Sequence, residues 1–382
     1  MEAFNLTNVE LGACYSVYGI IALFSYLLGG PLADKFPPRK LIAVALWMTA
    51  LGGIVYASYP SYFVLKILYG YWGFTTIFLF WAAMIKATRV WGGDTSQGKA
   101  FGFLDGGRGL VGALFGLLGI LIFSLFVAGE LTEIQFLERK EAFQYVIWVS
   151  SGIVSVIGIL VWFFLKSEIE SRNITLQKIT TTQIRQVLRI PAVWLLMVII
   201  LCAYVGYKIT DVFSLYAKEV MDYNEVDSAK VGTFLLFIRP VVGIIIGFLA
   251  DKSRVTLWLV IGFALSILGA VLFATGVISQ NTTLLFFVSV LITATGVYAA
   301  RSLYFATMKE GNIPLVLTGT AVGLISIIGY TPDIFAGPAI GYLLDTSPGI
   351  VGHRNVFWML TSFSMVGVIA SIIFFKLSRK QH

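Results

Sequence analysis

The sequence predicts an all-α integral membrane protein: a helix bundle of two pseudo-symmetric halves with eleven membrane spans. Three observations favour this fold class: 58% of the 382 residues are hydrophobic, only 12% are charged, and a six-residue motif occurs twice. Soluble proteins carry about 25% charged residues. The composition therefore excludes a water-soluble enzyme, a disordered chain and a nucleic-acid-binding domain.

The spans are predicted from apolar runs, because each crossing of the bilayer needs about 20 mostly apolar residues. Charged, proline or glycine residues separate nearly every pair of runs, and the division inside 40–86 is the weakest. The eleven predicted spans are residues 10–31, 40–58, 61–86, 99–127, 141–165, 191–216, 230–250, 255–277, 282–307, 316–344 and 354–377.

The orientation is predicted from the basic residues of the loops, since lysine and arginine are enriched in cytoplasmic loops. One side of the predicted bundle carries seventeen basic residues, from Lys35 to Lys380, and the other carries five. We therefore expect a multi-pass protein of the cell (plasma or inner) membrane with a cytoplasmic C-terminus. The net charge of +7 fits these loops and gives no reason to expect a nucleic-acid partner.

The repeated motif divides the chain into two halves. The sequence GPLADK at 30–35 returns as GFLADK at 247–252, and we place both copies in short cytoplasmic turns between apolar helices. This pattern is typical of parallel repeats. It predicts an N-terminal half at 1–165, a polar cytoplasmic linker at 166–190 and a C-terminal half at 191–382.

The two predicted halves differ in the number of helices before the motif. Two helices precede Asp251 in the second half, whereas one helix and 33 residues precede Asp34 in the first. The first half therefore has five spans and the second has six. The simplest interpretation is that a first helix is missing before Met1, through a mis-assigned start codon or a truncation. A genuine eleven-span protein is the alternative.

These features resemble the major facilitator superfamily, whose members have twelve helices in two six-helix halves. Its GxLaDrxGrRk signature reads GPLADKFPPRK here, at residues 30–40, with prolines where the family often has a glycine. The second copy keeps Gly247, Asp251 and Arg254. The resemblance implies a membrane transporter and does not specify its substrate.

A narrower resemblance is to the organophosphate:phosphate antiporter branch. Trp81 and Trp91 are similar to the paired tryptophans of that branch, and residues 207–220 look like its seventh helix and the following loop. The phosphate-gripping arginine of that helix would fall at Gly206, with Lys208 close by. Because lysine lacks the planar fork of arginine, we expect a small organic anion rather than a phosphorylated sugar.

Ionisable side chains inside the spans are candidates for function, because each costs about 2.5–3.5 kcal/mol at a helix centre on insertion scales. The surplus of basic over acidic groups favours an anionic substrate. Two acidic residues have a basic residue three positions away, on the same helix face. The eight residues are Lys66, Arg108, Lys208, Arg239, Arg301, Asp105, Asp211 and Asp333.

The predicted substrate-binding residues are Arg301, Arg239, Lys208 and Asp333. Arg301 has no acidic residue within a helical turn on its own helix, so its partner must come from another helix or from the substrate. Asp333 follows Pro332, which frees backbone carbonyls inside the helix. We expect Asp333 to bind a proton or to pair with Arg301 while the site is empty. Lys66 lies near the outer end of its helix, within snorkelling reach of water.

The predicted gating residues are Asp34, Arg39, Asp251 and Arg254, which belong to the two copies of the motif. A carboxylate at such a place can cap a helix N-terminus and pair with a neighbouring arginine. This contact can form when the cytoplasmic face is closed and break when it opens. A solvated cluster that only fixes topology is the alternative, and the recurrence of the acid favours gating.

Two further features complete the predictions. Glycines spaced four apart let helices pack closely, and three such pairs occur: Gly112 with Gly116, Gly319 with Gly323, and Gly337 with Gly341. The chain has two cysteines, two histidines, and no Walker loop, GxGxxG motif or metal-ligand cluster. We therefore expect no catalytic residue, no metal and no cofactor.

Together these features predict a secondary active transporter, not an enzyme, that moves a small organic anion by alternating access. The expected partners are the anion and the lipid bilayer, with H⁺ or phosphate as candidate coupling ions, and the chain is expected to be a monomer. The branch resemblance implies an antiporter. Two alternatives remain open: a transporter-like ligand sensor, and a truncated product that does not transport.

Overall fold

The structure is a computed structural model that describes Phe4, Leu6 and residues 8–126, 136–165 and 181–379. Eleven helical stretches within these ranges are long and apolar enough to cross a membrane. No β-strand occurs among the described residues. The predicted all-α fold class and the number of spans are therefore confirmed.

The first five spans are formed by six α-helices and one π-helical segment. These are α1 (Asn8–Lys35), α2 (Pro38–Ala57), α3 (Tyr62–Gly73), the π-helical segment (Phe74–Trp81), α4 (Ala82–Gly92), α5 (Gln97–Phe126) and α6 (Phe136–Phe164). The third span runs without interruption from α3 through the π-helical segment into α4.

The remaining helices include one short helix and six spans. They are α7 (Thr181–Leu188), α8 (Pro191–Ile209), α9 (Val212–Glu219), α10 (Glu225–Asp251), α11 (Val255–Ala274), α12 (Thr283–Leu303), α13 (Thr318–Gly329), α14 (Pro332–Thr346) and α15 (Ile350–Arg379). Two of the spans are broken helices, because α8 continues into α9 and α13 into α14.

Local sequence explains where several helices begin. Pro38, Pro191 and Pro332 start α2, α8 and α14, where the missing proline N–H costs no helical hydrogen bond. Asn224 precedes α10, and its side chain accepts a hydrogen bond from the backbone N–H of Asp227 at 2.8 Å. This is the usual way in which a short polar residue caps a helix.

The two copies of the motif lie at helix ends, which corrects their predicted placement in turns. Residues 30–35 complete α1, and residues 247–251 complete α10. The apolar residues before each acid continue the helix, since leucine and alanine are strong helix formers. Each connection to the next helix is therefore only two or three residues long, at 36–37 and 252–254.

The chain divides into two compact units, each assembled from separate stretches. As far as they are described, the first contains Met1–Val90, Val111–Arg185 and Leu315–Leu324, and the second contains Trp91–Leu110, Gln186–Pro314 and Ile325–His382. These units follow spatial contact, whereas the predicted halves follow the sequence repeat, so the halves stay a prediction. Residues 166–180 of the predicted linker lie outside the described residues, and its last part contains α7.

In the first unit, α1 packs against α3 and the π-helical segment, and α2 packs against α6. Glycine makes the contact with the π-helical segment possible: a Cβ atom on Gly29 would lie 2.5 Å from the carbonyl oxygen of Phe78. Between α2 and α6, the Trp47 indole N–H donates to the carbonyl oxygen of Ser155 at 3.2 Å.

The π-helical segment lies beside a small group of hydroxyls. A π-helix pairs backbone groups five residues apart and is rare in proteins. The Thr76 hydroxyl donates to the carbonyl oxygen of Trp72 at 2.6 Å and shares a 3.0 Å hydrogen bond with the Tyr18 hydroxyl. Thr49 donates to Thr75 at 3.0 Å. Side chains thus supply hydrogen bonds at the wider turn.

The second unit has an aromatic core that supports α12. Phe273 and Phe357 stack with ring centroids 4.4 Å apart, and the buried Tyr216 hydroxyl donates to the carbonyl oxygen of Ile278 at 2.9 Å. A Cβ atom on Gly296 of α12 would lie 2.4 Å from the carbonyl oxygen of Gly262 on α11. This contact between α11 and α12 fixes the helix that carries Arg301.

One of the three predicted glycine faces is confirmed. Cβ atoms on Gly319 and Gly323 would lie 2.3 Å and 2.4 Å from carbonyl oxygens of α1. The other two predictions are wrong, because a Cβ atom at their glycines would have no described neighbour within 4 Å. These glycines are Gly112, Gly116, Gly337 and Gly341.

Helix α5 packs on α10 through glycines that the sequence did not single out. A Cβ atom on Gly98 would lie 2.5 Å from the carbonyl oxygen of Gly247, and one on Gly102 would lie 2.4 Å from that of Gly243. The two backbones touch along this face. The contact brings the α5 residue Asp105 beside α10.

Candidate functional site

Three charged side chains from three helices meet inside the second unit. Asp105 on α5 accepts hydrogen bonds from Arg239 on α10, at 3.2 Å from Nε and 2.7 Å from Nη2. It also accepts one from Nε of Arg301 on α12 at 3.2 Å and one from the Ser302 hydroxyl at 3.3 Å. With four donors, the Asp105 carboxylate is saturated. We call Asp105, Arg239 and Arg301 the buried triad.

The buried triad is screened from solvent and carries an excess of positive charge. The side chains of Arg239, Arg301 and Asp105 are 10%, 5% and 7% exposed. A buried ion is stable only when other charges and hydrogen bonds compensate it. Two guanidiniums face one carboxylate, and Arg108 adds positive charge near the same carboxylate. The triad is therefore suited to receive an anion.

Arg301 presents an unsatisfied hydrogen-bond donor. Its Nη1 atom is buried and has no hydrogen-bond partner among the described residues. The guanidinium carbon lies 3.6 Å from the ring centroid of Tyr207, a cation–π contact that fixes the plane of the group. The Tyr207 hydroxyl accepts a hydrogen bond from Arg239 at 3.4 Å. Arg301 is thus held in place while one of its donors stays unused.

A second ion pair lies on the other side of a tyrosine. Nζ of Lys208 lies 2.7 Å from Oδ1 of Asp333, and the Tyr204 hydroxyl donates to the same oxygen at 3.0 Å. The Tyr204 ring has the Lys208 amine 5.3 Å and the Arg301 guanidinium 5.5 Å from its centroid. The two cations are therefore no more than about 11 Å apart, since both distances share one centroid.

The structure corrects the predicted partner of Arg301. The sequence indicated Asp333, but Asp333 pairs with Lys208 and Arg301 pairs with Asp105. Lys208 likewise takes Asp333 as its partner, although Asp211 is closer in sequence. Spacing along a helix reveals only partners on that helix, whereas these pairs join different helices.

Both broken helices contribute to this site. α8 ends at Ile209 and α9 begins at Val212, one turn after Lys208. α13 ends at Gly329 and α14 begins at Pro332, directly before Asp333. Interrupted helices free backbone groups at membrane depth, which proteins tolerate where the backbone is buried or lines a cavity.

Asp34 binds the start of another helix in the first unit. Its carboxylate accepts hydrogen bonds from the backbone N–H of Gly319 at 2.8 Å and of Thr320 at 2.7 Å, the second and third residues of α13. Nζ of Lys86 lies 3.1 Å from the same carboxylate. A carboxylate at this place satisfies free helical donors and faces the positive end of the helix dipole.

Asp251 makes the equivalent contact in the second unit. Its carboxylate accepts hydrogen bonds from the backbone N–H of Gly98 at 2.6 Å and of Lys99 at 2.9 Å. These are the second and third residues of α5, the same positions that Asp34 binds on α13. We call these two contacts the helix clamps.

The arginines of the motif lie at the beginnings of helices. Arg39 is the second residue of α2, and Arg254 directly precedes α11, with its guanidinium 5.1 Å from the Phe375 ring centroid. The Asp34 carboxylate forms an ion pair with Lys86, a residue outside the motif. The sequence predicts Lys86 only as one of the basic residues at the cytoplasmic face. Its position in the sequence does not indicate that its side chain is buried and pairs with Asp34.

Glu310 is a further residue that sequence reasoning missed. Its carboxylate accepts hydrogen bonds from the backbone N–H of Val255 at 2.6 Å and of Thr256 at 3.2 Å, and from the Thr256 hydroxyl. Glu310 thereby binds the start of α11 and ties it to the loop after α12. In the sequence alone, nothing indicates that a single acidic residue in a loop binds the start of a helix.

The described residues contain no group of three or more His, Cys, Asp or Glu side chains that could hold a metal ion. Lys66 lies over the Tyr62 ring, with its amine 4.6 Å from the centroid. It is not part of the buried triad or of either helix clamp.

The sequence matches a family model over residues 1–336, and the family is described as the Major Facilitator Superfamily. The chain belongs to the major facilitator superfamily. Members of this family are membrane transporters that carry small molecules across the bilayer, and they are generally not enzymes.

Two curated relatives are similar along nearly the whole chain. Inner membrane protein YqcE of Escherichia coli (strain K12) is 29% identical over 379 residues, which cover 97% of this chain and 87% of the relative. Inner membrane protein YihN of the same organism is 27% identical over 385 residues, which cover 98% and 88%.

Solved structures show the same fold. The transporter FucP in its outward conformation has a TM-score of 0.75 and 15% identity, with 98% of this chain and 92% of that chain covered. The human organic anion transporter MFSD10 has a TM-score of 0.69 and 11% identity, with 95% and 83% covered. At these identities the likeness concerns the fold alone.

Proposed function

We propose that this member of the superfamily is a secondary active transporter of a small organic anion, working by alternating access. The observation that carries the proposal is the Arg301 guanidinium, which is buried, is oriented by Tyr207 and has no hydrogen-bond partner for Nη1 in the part of the chain that the structure describes. An unpaired buried donor costs about 1–3 kcal/mol. An anionic group beside Nη1 removes that cost.

The rest of the buried triad prepares Arg301 for this role. Arg239 donates two hydrogen bonds to Asp105. The Asp105 carboxylate also binds Nε of Arg301 and so positions this side chain. Its single negative charge cannot neutralise both guanidiniums. Because hydrogen bonds from a guanidinium to an anion are charge-assisted and strong, the substrate anion is expected beside Nη1 of Arg301. Lys208 lies within about 11 Å and offers a second cation at the half-exposed edge.

We further propose that the helix clamps are the gate at the predicted cytoplasmic side. Asp34 and Asp251 bind the same two positions at the starts of α13 and α5. Each contact joins helix ends from different parts of the chain, so breaking it frees those ends to separate. Arg39 and Arg254, next to the two acids in sequence, are proposed to support the clamps.

The names of two relatives support the cellular location. YqcE and YihN are called inner membrane proteins. We propose an inner-membrane protein with a cytoplasmic C-terminus, acting as a monomer. The basic residues of the loops support this orientation.

The first test is anion binding by the purified protein in detergent. Lactate, succinate, citrate, gluconate and inorganic phosphate are compared by the rise in thermal unfolding temperature that each produces. We expect at least one organic anion to stabilise the wild-type protein, since a ligand that binds the native state stabilises it. Radiolabelled uptake of that anion into proteoliposomes then tests transport.

Substitutions at Arg301 make the test specific. Arg301→Lys removes the planar guanidinium group and should weaken anion binding at least tenfold. Arg301→Ala should abolish anion binding. In both variants Asp105 keeps Arg239 as its partner. Lys66→Ala, which removes another intramembrane cation, is the matched control and should bind normally. Equal binding by Arg301→Ala and Lys66→Ala would overturn the proposed site. Binding without uptake would favour the ligand sensor.

A further inference from the structure

The Lys208–Asp333 pair presents hydrogen-bond donors and acceptors side by side. Nζ of Lys208 lies 2.7 Å from Oδ1 of Asp333, so the two charges balance. The Tyr204 hydroxyl lies 3.0 Å and 3.3 Å from the two carboxylate oxygens of Asp333. An ammonium group has three donors, and an ionised carboxylate has about four acceptor positions. The contacts in the described part of the chain therefore leave donors on Lys208 and acceptor positions on Asp333 for a ligand.

Both members of this pair are accessible. The side chains of Lys208 and Asp333 are 32% and 48% exposed. Charged groups within membrane spans face a bundle interior or a water-filled cavity, because exposure to lipid is expensive. Pairing with an ammonium group favours the charged form of a carboxylate. Asp333 is therefore a fixed negative charge that a ligand can approach from water.

Tyrosine rings connect this pair to the proposed position of the substrate anion. The centroid of the Tyr204 ring lies 5.3 Å from the Lys208 amine and 5.5 Å from the Arg301 guanidinium. The Tyr204 and Tyr207 rings stack with centroids 5.8 Å apart, and Tyr207 also packs on Arg301. Because the two cations are no more than about 11 Å apart, one small molecule can reach both of them.

The two ends of this site favour different chemical groups. The guanidiniums of Arg239 and Arg301 share the single carboxylate of Asp105, so that end has a net positive charge and favours an anion. At the other end the charges balance, and a second anionic group would be repelled by Asp333.

A hydroxyl group suits the Lys208–Asp333 end better than a second anion or an alkyl chain. It donates to the carboxylate and accepts from the ammonium group, so both charges keep hydrogen bonds. An alkyl chain would displace water from both charges without replacing its hydrogen bonds, which is unfavourable.

We infer that the substrate is a small monocarboxylate with several hydroxyl groups, which is the chemistry of a sugar acid. Its carboxylate binds Arg301, and its hydroxyl groups bind Asp333 and Lys208. Asp333 is then the residue that selects hydroxyl groups over a second carboxylate. The inference rests on the proposed function and names the substrate class of the same site.

Three six-carbon acids test this class by calorimetric titration of the purified protein in detergent. Gluconate has one carboxylate and several hydroxyls, hexanoate lacks the hydroxyls, and glucarate has a second carboxylate in place of the terminal hydroxyl. We expect gluconate to bind at least about tenfold more tightly than the other two, because a hydrogen bond to a charged group contributes about this factor. Sorbitol, which has hydroxyls but no carboxylate, should not bind. Galactonate and galactarate repeat the comparison with another arrangement of hydroxyls.

Asp333→Asn tests the selection by charge. The asparagine keeps hydrogen-bonding groups and removes the repulsion, so the ratio of gluconate to glucarate affinity should fall at least about fivefold. Asp345→Asn is the matched control, because Asp345 is an exposed acid on the same helix, about three turns further along. Its ratio should equal that of the wild-type protein. A purely structural role of Asp333 would weaken the binding of both acids equally.

Equal affinities for gluconate, hexanoate and glucarate would overturn the inference, as would an unchanged ratio in a folded Asp333→Asn variant. The comparison of acids on the wild-type protein decides the substrate class even if that variant does not fold. Binding of succinate, citrate or phosphate without gluconate or galactonate would also overturn the inference, although the anion site at Arg301 would stand. Failure of every anion to bind would overturn the proposed function itself, and this inference with it.

Discussion

The backbone N–H of Gly319 donates a 2.8 Å hydrogen bond to Oδ1 of Asp34. One helical turn before Asp34, the backbone of Gly30 touches that of Gly319. The same arrangement joins Asp251 to Gly98, and there Gly247 precedes the acid by four residues. In each copy of the motif, the glycine lets the first turn of another helix come close. The acid four residues later accepts hydrogen bonds from the backbone N–H groups of that turn.

The helix clamps predict a kinetic effect of neutralising their acids. Asp34→Asn and Asp251→Asn remove the charge and place an amide where two backbone donors converge. A hydrogen bond to a charged group contributes about 1.5–3 kcal/mol, so uptake into proteoliposomes should slow about tenfold or more while anion affinity changes little.

Asp94→Asn is the control for both variants. Asp94 pairs with Lys309 at 3.1 Å but is 94% exposed, and exposed pairs contribute about 0–1 kcal/mol. Uptake by this variant should stay within about twofold of wild type. Loss of binding as severe as loss of uptake in Asp34→Asn would contradict a role confined to the gate.

The glycine contacts predict which helix surfaces tolerate alanine. Gly30→Ala and Gly319→Ala place a methyl group about 2.5 Å or less from a backbone oxygen, which requires the helices to separate. Both variants should unfold at clearly lower temperature in detergent. Gly112→Ala, with nothing within 4 Å, should be neutral or slightly stabilising, because alanine favours a helix by about 1 kcal/mol over glycine. Equal destabilisation by all three would contradict this account.

The two ion pairs predict different costs for losing an acid. Asp105→Ala leaves two buried guanidiniums without their shared anion, and removing one partner of a buried pair costs about 3–5 kcal/mol. Asp333→Ala opens a half-exposed pair, for which about 1 kcal/mol or less is expected. The free energy of unfolding, measured in mixed micelles, should therefore fall much further for Asp105→Ala. A reversed order would show that the buried triad is not the stronger structural element.

The stacking of Arg301 on Tyr207 predicts a difference between two substitutions. Tyr207→Phe keeps the ring that lies 3.6 Å from the guanidinium carbon and loses only a long hydrogen bond. Tyr207→Leu removes the ring, and a buried cation–π contact contributes about 2 kcal/mol. Both variants are titrated with the anion that stabilises the wild-type protein. Binding should weaken less than about threefold in Tyr207→Phe and roughly thirtyfold in Tyr207→Leu. Equal affinities would remove Tyr207 from the site.

The sequence predicts the spans well because hydropathy is a local property. Each predicted run from 10–31 to 354–377 corresponds to one described helix or broken helix. The motif can also be recognised in the sequence. Its position at the end of α1 could not be predicted, because the chain turns within two residues after Lys35.

The partners within the site could not be predicted, because they are set by contacts between helices. Asp105 has Arg108 three residues away, yet its described bonds to Arg239 and Arg301 come from α10 and α12. In the same way, the spacing of Gly112 and Gly116 suits close packing, but no described atom occupies the space beside them. A periodic pattern shows which residues share a face and leaves open what that face meets.

The π-helical segment Phe74–Trp81 has a consequence for a residue beyond it. Successive residues of an α-helix are rotated by about 100° around its axis, and a π-helical turn takes up extra residues. The segment therefore sets the angular position of everything that follows it in the span, including Lys86, whose amine lies 3.1 Å from Asp34. Deleting a single residue from the segment would rotate Lys86 by about 100° and aim it away from that carboxylate.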